Sequence, residues 1–170
     1  ITTTGFSTCD FNLWPSFAKM ILFFVMFTGA CAGSTGGGLK VSRLIVWVKS
    51  IRNEVLSVIH PHSVKKVHLD GRALSGEVIH SIHLYLIIYV CIYIVSVILI
   101  SVDNFSFETN VSAVMAAMNN IGPGFDVVGP NGNFGGFSVF SKCVLMFDML
   151  AGRLELLPIL VVFSARTWKK

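Results

Sequence analysis

Two short polar segments that carry glycine stand out in an otherwise apolar chain. One is Thr2-Thr3-Thr4-Gly5-Phe6, the other Asn119-Asn120-Ile121-Gly122-Pro123-Gly124-Phe125. The chemistry they suit is coordination of a dehydrated cation. A potassium filter replaces the water shell of the ion with backbone carbonyls, and glycine admits the conformations that aim successive carbonyls inward. Thr3, Thr4, Gly5 and Phe6 fit that need, and Asn120, Ile121, Gly122 and Pro123 form a looser version. Irregular backbone inside a bilayer persists only where protein buries it or a wet cavity borders it. Either segment alone is a weak signal, because glycine-rich turns are common. The order short helix, polar segment, apolar helix is what points to an ion path.

Arg153 is the other residue with chemistry to offer, a cation within an apolar helix. A charge inside a membrane span is by default a functional hypothesis. At a pore axis it would repel a cation while donating hydrogen bonds to carbonyls, so it is a candidate for closing or regulating the path. Structural pairing with Asp148 or Glu155 is the other reading, and both can hold. Lys19 and Lys142 sit near equivalent helix ends, where snorkelling to the interface or an effect on ion movement are the alternatives.

The elements that must position these residues follow from composition. The chain is 54% hydrophobic and 13% charged, with a mean hydropathy of +0.74, whereas soluble domains carry about 25% charged residues. From Val78 to Val102 there is no Asp, Glu, Lys or Arg, a run that makes a helix of roughly 38 Å and can cross a bilayer. The expected fold is therefore an all-α integral membrane protein. Lys40, Arg43, Lys49, Arg52, Lys65, Lys66 and Arg72 fall between two membrane segments, and Arg166, Lys169 and Lys170 close the chain. A basic excess marks the cytoplasmic side, which makes the linker 60–77 and the C-terminus cytoplasmic and both polar segments outward-facing. The same placement accounts for the net charge of +4 without nucleic acid as a partner.

Helix is expected over 14–27 and from Leu39 to Ile59, with a glycine-rich break between them. A membrane span follows at 78–102, a short re-entrant helix at 106–119, and a final helix at about 137–167. Ser106 can cap the short helix, and Glu108 suits its first turn. An internal repeat supports the layout: Phe17 and Phe140, Lys19 and Lys142, Leu22 and Leu145, and Gly29 and Gly152 are each 123 residues apart, whereas Gly5 and Gly122 are 117 apart. The difference falls in the second outer loop, where insertion is cheap. The unit is outer helix, pore helix, filter loop and inner helix, with the inner helix broken in the first repeat. Three stretches result: 1–59, holding a filter and the broken inner helix of one repeat; the linker 60–77; and 78–170, a complete repeat. Without an initiating Met, the chain is expected to be the end of a longer protein.

Together these residues resemble the Trk/Ktr/HKT superfamily of cation transporters, most closely the bacterial Trk potassium-uptake subunit. The matching stretches are TTTGFST at 2–8, GACAGSTGGGLKVSR at 29–43, NNIGPGF at 119–125 and MLAGRLELLP at 149–158. The resemblance implies four pseudo-repeats, of which this chain holds the third filter with its inner helix and the whole fourth repeat. It implies potassium at the filter residues as transported ligand, with no covalently bound cofactor. It also implies a homodimer in the lipid of the cell inner membrane and a cytoplasmic nucleotide-binding regulatory subunit. For Gly29, Gly33, Ser34, Thr35, Gly36, Gly37 and Gly38 it implies an intramembrane gating loop. The residues agree independently: seven small residues from Ala32 to Gly38 cannot hold a stable helix, since each Gly costs about 1 kcal/mol against Ala. A passive packing kink is the other reading of this break. A phosphate loop is not, because Leu39 separates Gly38 from Lys40.

Potassium uptake through a filter-containing, loop-gated pore is the leading expectation. A sodium-permeable or sodium- or proton-coupled member of the superfamily is the alternative. Further off is a broken-helix secondary transporter, whose inverted repeats would put equivalent loops on opposite faces. An enzyme is not expected, as neither a Ser-His-Asp set nor a His-Glu-x-x-His motif is present in a workable arrangement. His60, His62, His68, His80 and His83 read as parts of a solvated linker rather than a metal site. Cys9, Cys31, Cys91 and Cys143 lack ligand spacing and read as free core cysteines.

Overall fold

A computed structural model of the chain describes residues 3–29, 31, 38–59, 67–69 and 71–153. Five α-helices order these residues: α1 (Ser16–Thr28), α2 (Val41–Ile59), α3 (Gly76–Ile100), α4 (Phe107–Met118) and α5 (Val139–Arg153). α1 begins after Pro15, whose extended backbone sets the entry, and it stops at Gly29, where φ is 67°. That left-handed value is cheap only for glycine. α3 is long and apolar enough to cross a membrane, and it leads through a 3-10 turn, Ser101–Asp103, to left-handed Asn104. Ser106 then caps α4, its Oγ accepting from the Thr109 amide at 3.2 Å.

α4 is the centre of the packing. It is buried from Ser112 to Met118, together with Thr109 and Asn110, and it lies against α5, α3 and α1. Its small residues Ala113, Ala116 and Ala117 let neighbouring helices approach closely. The core around it is built from Tyr85, Tyr89, Ile100, Val114, Met118 and Leu145, together with Leu39 and Ala151.

Three expectations need correction. The linker is not wholly irregular: within a mostly helical chain, β1 (His68–Leu69) and β2 (Arg72–Ala73) form a minimal antiparallel hairpin, with His68 opposite Ala73 and Leu69 opposite Arg72. Two-residue strands leave no alternation to read. α3 also starts inside the expected linker, at Gly76. The cysteines are free but exposed, not in the core; Cys91 and Cys143 line an apolar groove of about 430 Å³ between α3 and α5, on helix faces this chain leaves uncovered. The final helix is described to Arg153, and 154–167 lies outside the described residues.

Candidate functional site

The two polar segments share a backbone signature. Thr3 has φ 55° and Gly5 φ 81°, while Asn120 has φ 52° and Gly122 φ 105°. Left-handed residues thus alternate with their neighbours in both segments, at positions 117 apart. Alternation of hand can turn successive peptide planes so that their carbonyls face one side. Glycine and asparagine accept that region readily, but β-branched Thr3 does not. Strain of this kind persists only where the surroundings impose it, and it is concentrated at functional sites.

The segments also meet. A Cβ on Gly5 would run into the Ile121 carbonyl oxygen and lie 3.1 Å from Pro123 Cδ, so only glycine permits this approach. Thr3, Thr4, Gly5 and Phe6 border the same cavity as Ile121 and Pro123, with a volume of about 630 Å³. Among the four residues of the first segment, Phe6 is almost fully exposed, at 94%.

α4 delivers the second segment. Its C-terminal end is closed by Asn120 N–H to the Ala117 carbonyl (3.0 Å) and Ile121 N–H to the Ala116 carbonyl (2.9 Å). The negative end of the helix dipole, about half an elementary charge, therefore lies where Asn120 and Ile121 begin. Asn119 is fully buried; its Nδ2 donates to the Met115 carbonyl at 3.0 Å, and its Oδ1 accepts from the Tyr89 hydroxyl at 3.0 Å. Asn120 Nδ2 donates to the Met149 carbonyl of α5 at 3.1 Å.

Of the break between α1 and α2, Gly29 and Gly38 are described and both buried, whereas Gly33, Ser34, Thr35, Gly36 and Gly37 lie outside the described residues. A Cβ on Gly38 would lie 3.4 Å from the Gly29 Cα and would strike the Asn119 side chain. The break thus leaves and returns at one place, directly against the last turn of α4. On the other side, a Cβ on Gly152 would strike the Met118 carbonyl oxygen. Gly38 and Gly152 therefore touch consecutive residues at the C-terminal end of α4, its cap Asn119 and its last residue Met118, which brings Arg153, exposed at the end of the described helix, to the level of the break. Of the partners considered for Arg153, Asp148 is fully buried and accepts from Ser96 at 2.7 Å, and Glu155 lies outside the described residues. Lys19 and Lys142 have protein partners: Lys19 pairs with Glu108 at 3.2 Å, an exposed pair contributing about 0–1 kcal/mol, and Lys142 donates to the Gly135 carbonyl at 2.9 Å.

A tyrosine ladder on α3 was not foreseen from sequence. Tyr85 donates to the Gly38 carbonyl (3.4 Å), Tyr89 to Asn119 and Tyr93 to the Val111 carbonyl (3.1 Å). The signal was present: Tyr85, Tyr89 and Tyr93 recur every fourth residue, on one helix face, in an uncharged span. Arg43 of α2 lies over the Tyr85 ring, 4.1 Å from its centroid.

Comparison with known proteins places these features in context. The family model for TrkH, a cation transport protein, matches residues 1–170. The chain is 37% identical over 172 residues to the Trk system potassium uptake protein TrkH of Salmonella typhimurium, covering 99% of this chain and 35% of that protein. It is 28% identical over 169 residues to the Trk system potassium uptake protein TrkG of Escherichia coli, covering 99% and 34%. The crystal structure of the potassium transporter TrkH from Vibrio parahaemolyticus superposes with a TM-score of 0.87 at 34% identity, over 99% of this chain and 36% of that one. The chain thus spans about a third of the length of these relatives.

Proposed function

The chain belongs to the TrkH family of cation transport proteins, transporters rather than enzymes, and on that premise we propose that it forms two quadrants of a potassium-selective uptake pore. The observation that carries the reading is the matched left-handed backbone at Thr3 and Gly5 and at Asn120 and Gly122, in segments bordering one cavity. Carbonyls turned to one side replace the water shell of a potassium ion, and the C-terminal end of α4 adds its partial negative charge. The potassium ion is the cargo, held at Thr3, Thr4, Gly5 and Phe6 and at Asn120, Ile121, Gly122 and Pro123.

In this reading each repeat runs outer helix, pore helix, filter, inner helix. Local geometry supports a repeat: Asp10 accepts from the Asn12 amide at 2.9 Å, as Asn133 does from the Gly135 amide at 2.8 Å. Each pair sits in a 3-10 turn just before α1 or α5. Residues 1–59 hold the third filter and inner helix, 60–77 the linker and 78–170 the fourth repeat. The remaining repeats, in a longer protein, complete the ring and cover exposed apolar residues such as Phe17, Ile98 and Leu150.

The break at 29–38 gates the pore beneath the filter, held at its base by Asn119 and Tyr85, and Arg153 regulates it from α5. The filters face outward in the inner membrane. The basic residues of 40–72 face the cytoplasm, where they suit a nucleotide-binding regulatory subunit, and a homodimer is the assembly we infer. The names of the relatives favour potassium over sodium, and two segments on one cavity argue against an inverted-repeat transporter.

Rubidium uptake by proteoliposomes of the full-length protein tests the reading. Gly5→Ser and Gly122→Ser are expected to abolish uptake or its selectivity, the first by collision with Ile121 and both by strain at positive φ. Uptake and selectivity unchanged in both would remove the filter assignment.

A further inference from the structure

The backbone just beyond the second filter segment is held at every residue. Gly124 N–H donates to the Val128 carbonyl at 2.7 Å, and Phe125 N–H donates to Ser112 Oγ at 2.8 Å. Asp126 then has φ 58°, an uncommon conformation for a residue with a side chain. Its amide donates to Asn12 Oδ1 at 2.9 Å, and its carbonyl accepts from Asn12 Nδ2 at 3.2 Å. One side chain from beyond the first segment thus clamps both backbone groups of the residue beyond the second.

The Asp126 carboxylate faces the other way. Its Oδ2 accepts from Ser106 Oγ at 2.5 Å and from Thr109 Oγ1 at 2.7 Å, both at the start of α4. Charge-assisted bonds this short are strong and directional. Asn12 is oriented in turn by Asp10, whose Oδ2 accepts from Asn131 at 3.1 Å. The network joins the start of α4, the exit of the second segment and the turn after the first segment. Asp126 is itself exposed, so replacing it opens no cavity.

We propose that Asp126 is a positioning residue, which locks the second filter segment against the first and so sets discrimination among alkali cations. The proposal rests on the filter reading given above. Discrimination depends on the number, spacing and field of the coordinating carbonyls. A strut that fixes the exit of one segment relative to another controls that spacing without touching the ion.

The test is rubidium uptake by proteoliposomes of the full-length protein, with sodium as competitor. Asp126→Gly keeps the left-handed backbone accessible and removes the carboxylate. Ser106→Ala combined with Thr109→Val keeps the carboxylate and removes its donors. Both are expected to lower the rubidium-over-sodium ratio about tenfold, equivalent to about 1.4 kcal/mol, while maximal rubidium uptake persists; each variant also melts somewhat earlier, because the tie and, in the double variant, the α4 cap are lost. A purely structural role would lower stability and uptake together and leave the ratio alone, which would overturn the proposal. So would a ratio that falls in Asp126→Gly but not in the double variant, since charge and not the tie would then be responsible. Should Asp126→Gly fail to fold, the double variant decides. Gly122→Ser separates the two levels: if it alters selectivity and the Asp126 variants do not, only the strut fails; if it changes nothing, the filter reading fails first.

Discussion

Gly152→Ala tests the contact that sets α5 against α4, because here local propensity and tertiary packing predict opposite signs. Within a helix, alanine is preferred to glycine by about 1 kcal/mol, so propensity alone forecasts stabilisation. The structure forecasts the reverse. A Cβ on Gly152 would strike the Met118 carbonyl oxygen and lie 2.7 Å from its carbon and 3.2 Å from the Met118 Cα. Carbon atoms in favourable contact are about 3.5–4.0 Å apart, so the helices would have to separate by about 1 Å. All three opposing atoms are backbone, so no side chain can swing aside. Overpacking costs about 1–3 kcal/mol, and the rigid partner puts this site at the upper end. After the helix gain, the net loss is about 2 kcal/mol. The displacement reaches the second glycine-bearing segment, since Met118 ends α4 and Asn120 is bonded to Met149 of α5 at 3.1 Å. Thermal unfolding of the full-length protein in detergent and rubidium uptake in proteoliposomes are the assays, with both expected to fall. A variant as stable as the parent, with uptake intact, would refute the close approach of α5 to α4.

Two further predictions concern the surroundings of that glycine-bearing segment. Tyr89→Phe removes the hydroxyl that donates to Asn119 Oδ1 at 3.0 Å and leaves a buried acceptor, which costs about 1–3 kcal/mol; an unchanged melting temperature would exclude a stabilising ladder. The hydroxyls of Ser106 and Thr109 hold the Asp126 carboxyl below its ordinary value of 3.8, with Lys19 adding to the effect and burial opposing it. The tie is therefore fully present above that value and is lost as pH falls through the lower folded value. Acidification from neutrality to about pH 5 is expected to leave the Asp126 contribution intact, with progressive loss below that as pH falls past 3.8 toward the lower folded value. Comparing melting curves of the parent and Asp126→Asn across this range checks the sign, and a divergence near pH 6 would contradict it.

Much of the architecture was legible because its signals are local. The uncharged run at 78–102 announced α3, Ser106 with Glu108 announced α4, and the glycine-rich break from Gly29 announced the end of α1. The hairpin at 68–73 escaped because its strands are too short for periodicity. The exposure of the four cysteines escaped because apolar sequence does not say which helix face meets protein. The partners of Lys19 and Lys142, Glu108 and the Gly135 carbonyl, were not legible, because a side-chain contact across 89 residues and a bond to a loop carbonyl leave no pattern in sequence.

By itself, the sequence determined that this is a membrane chain with two similar glycine-bearing segments, each followed by an apolar helix. Those properties reside in composition, spacing and repeat, which survive without coordinates. Only the tertiary structure decided that the two segments turn left-handed at matching residues and meet at Gly5 and Ile121. It alone brought Gly38 and Gly152 onto the cap and the last residue of α4, and joined Asn12 to Asp126 across more than a hundred residues of chain. Residue types set which backbone conformations and contacts are affordable, but which of them form depends on the packing of helices far apart in sequence around the buried α4.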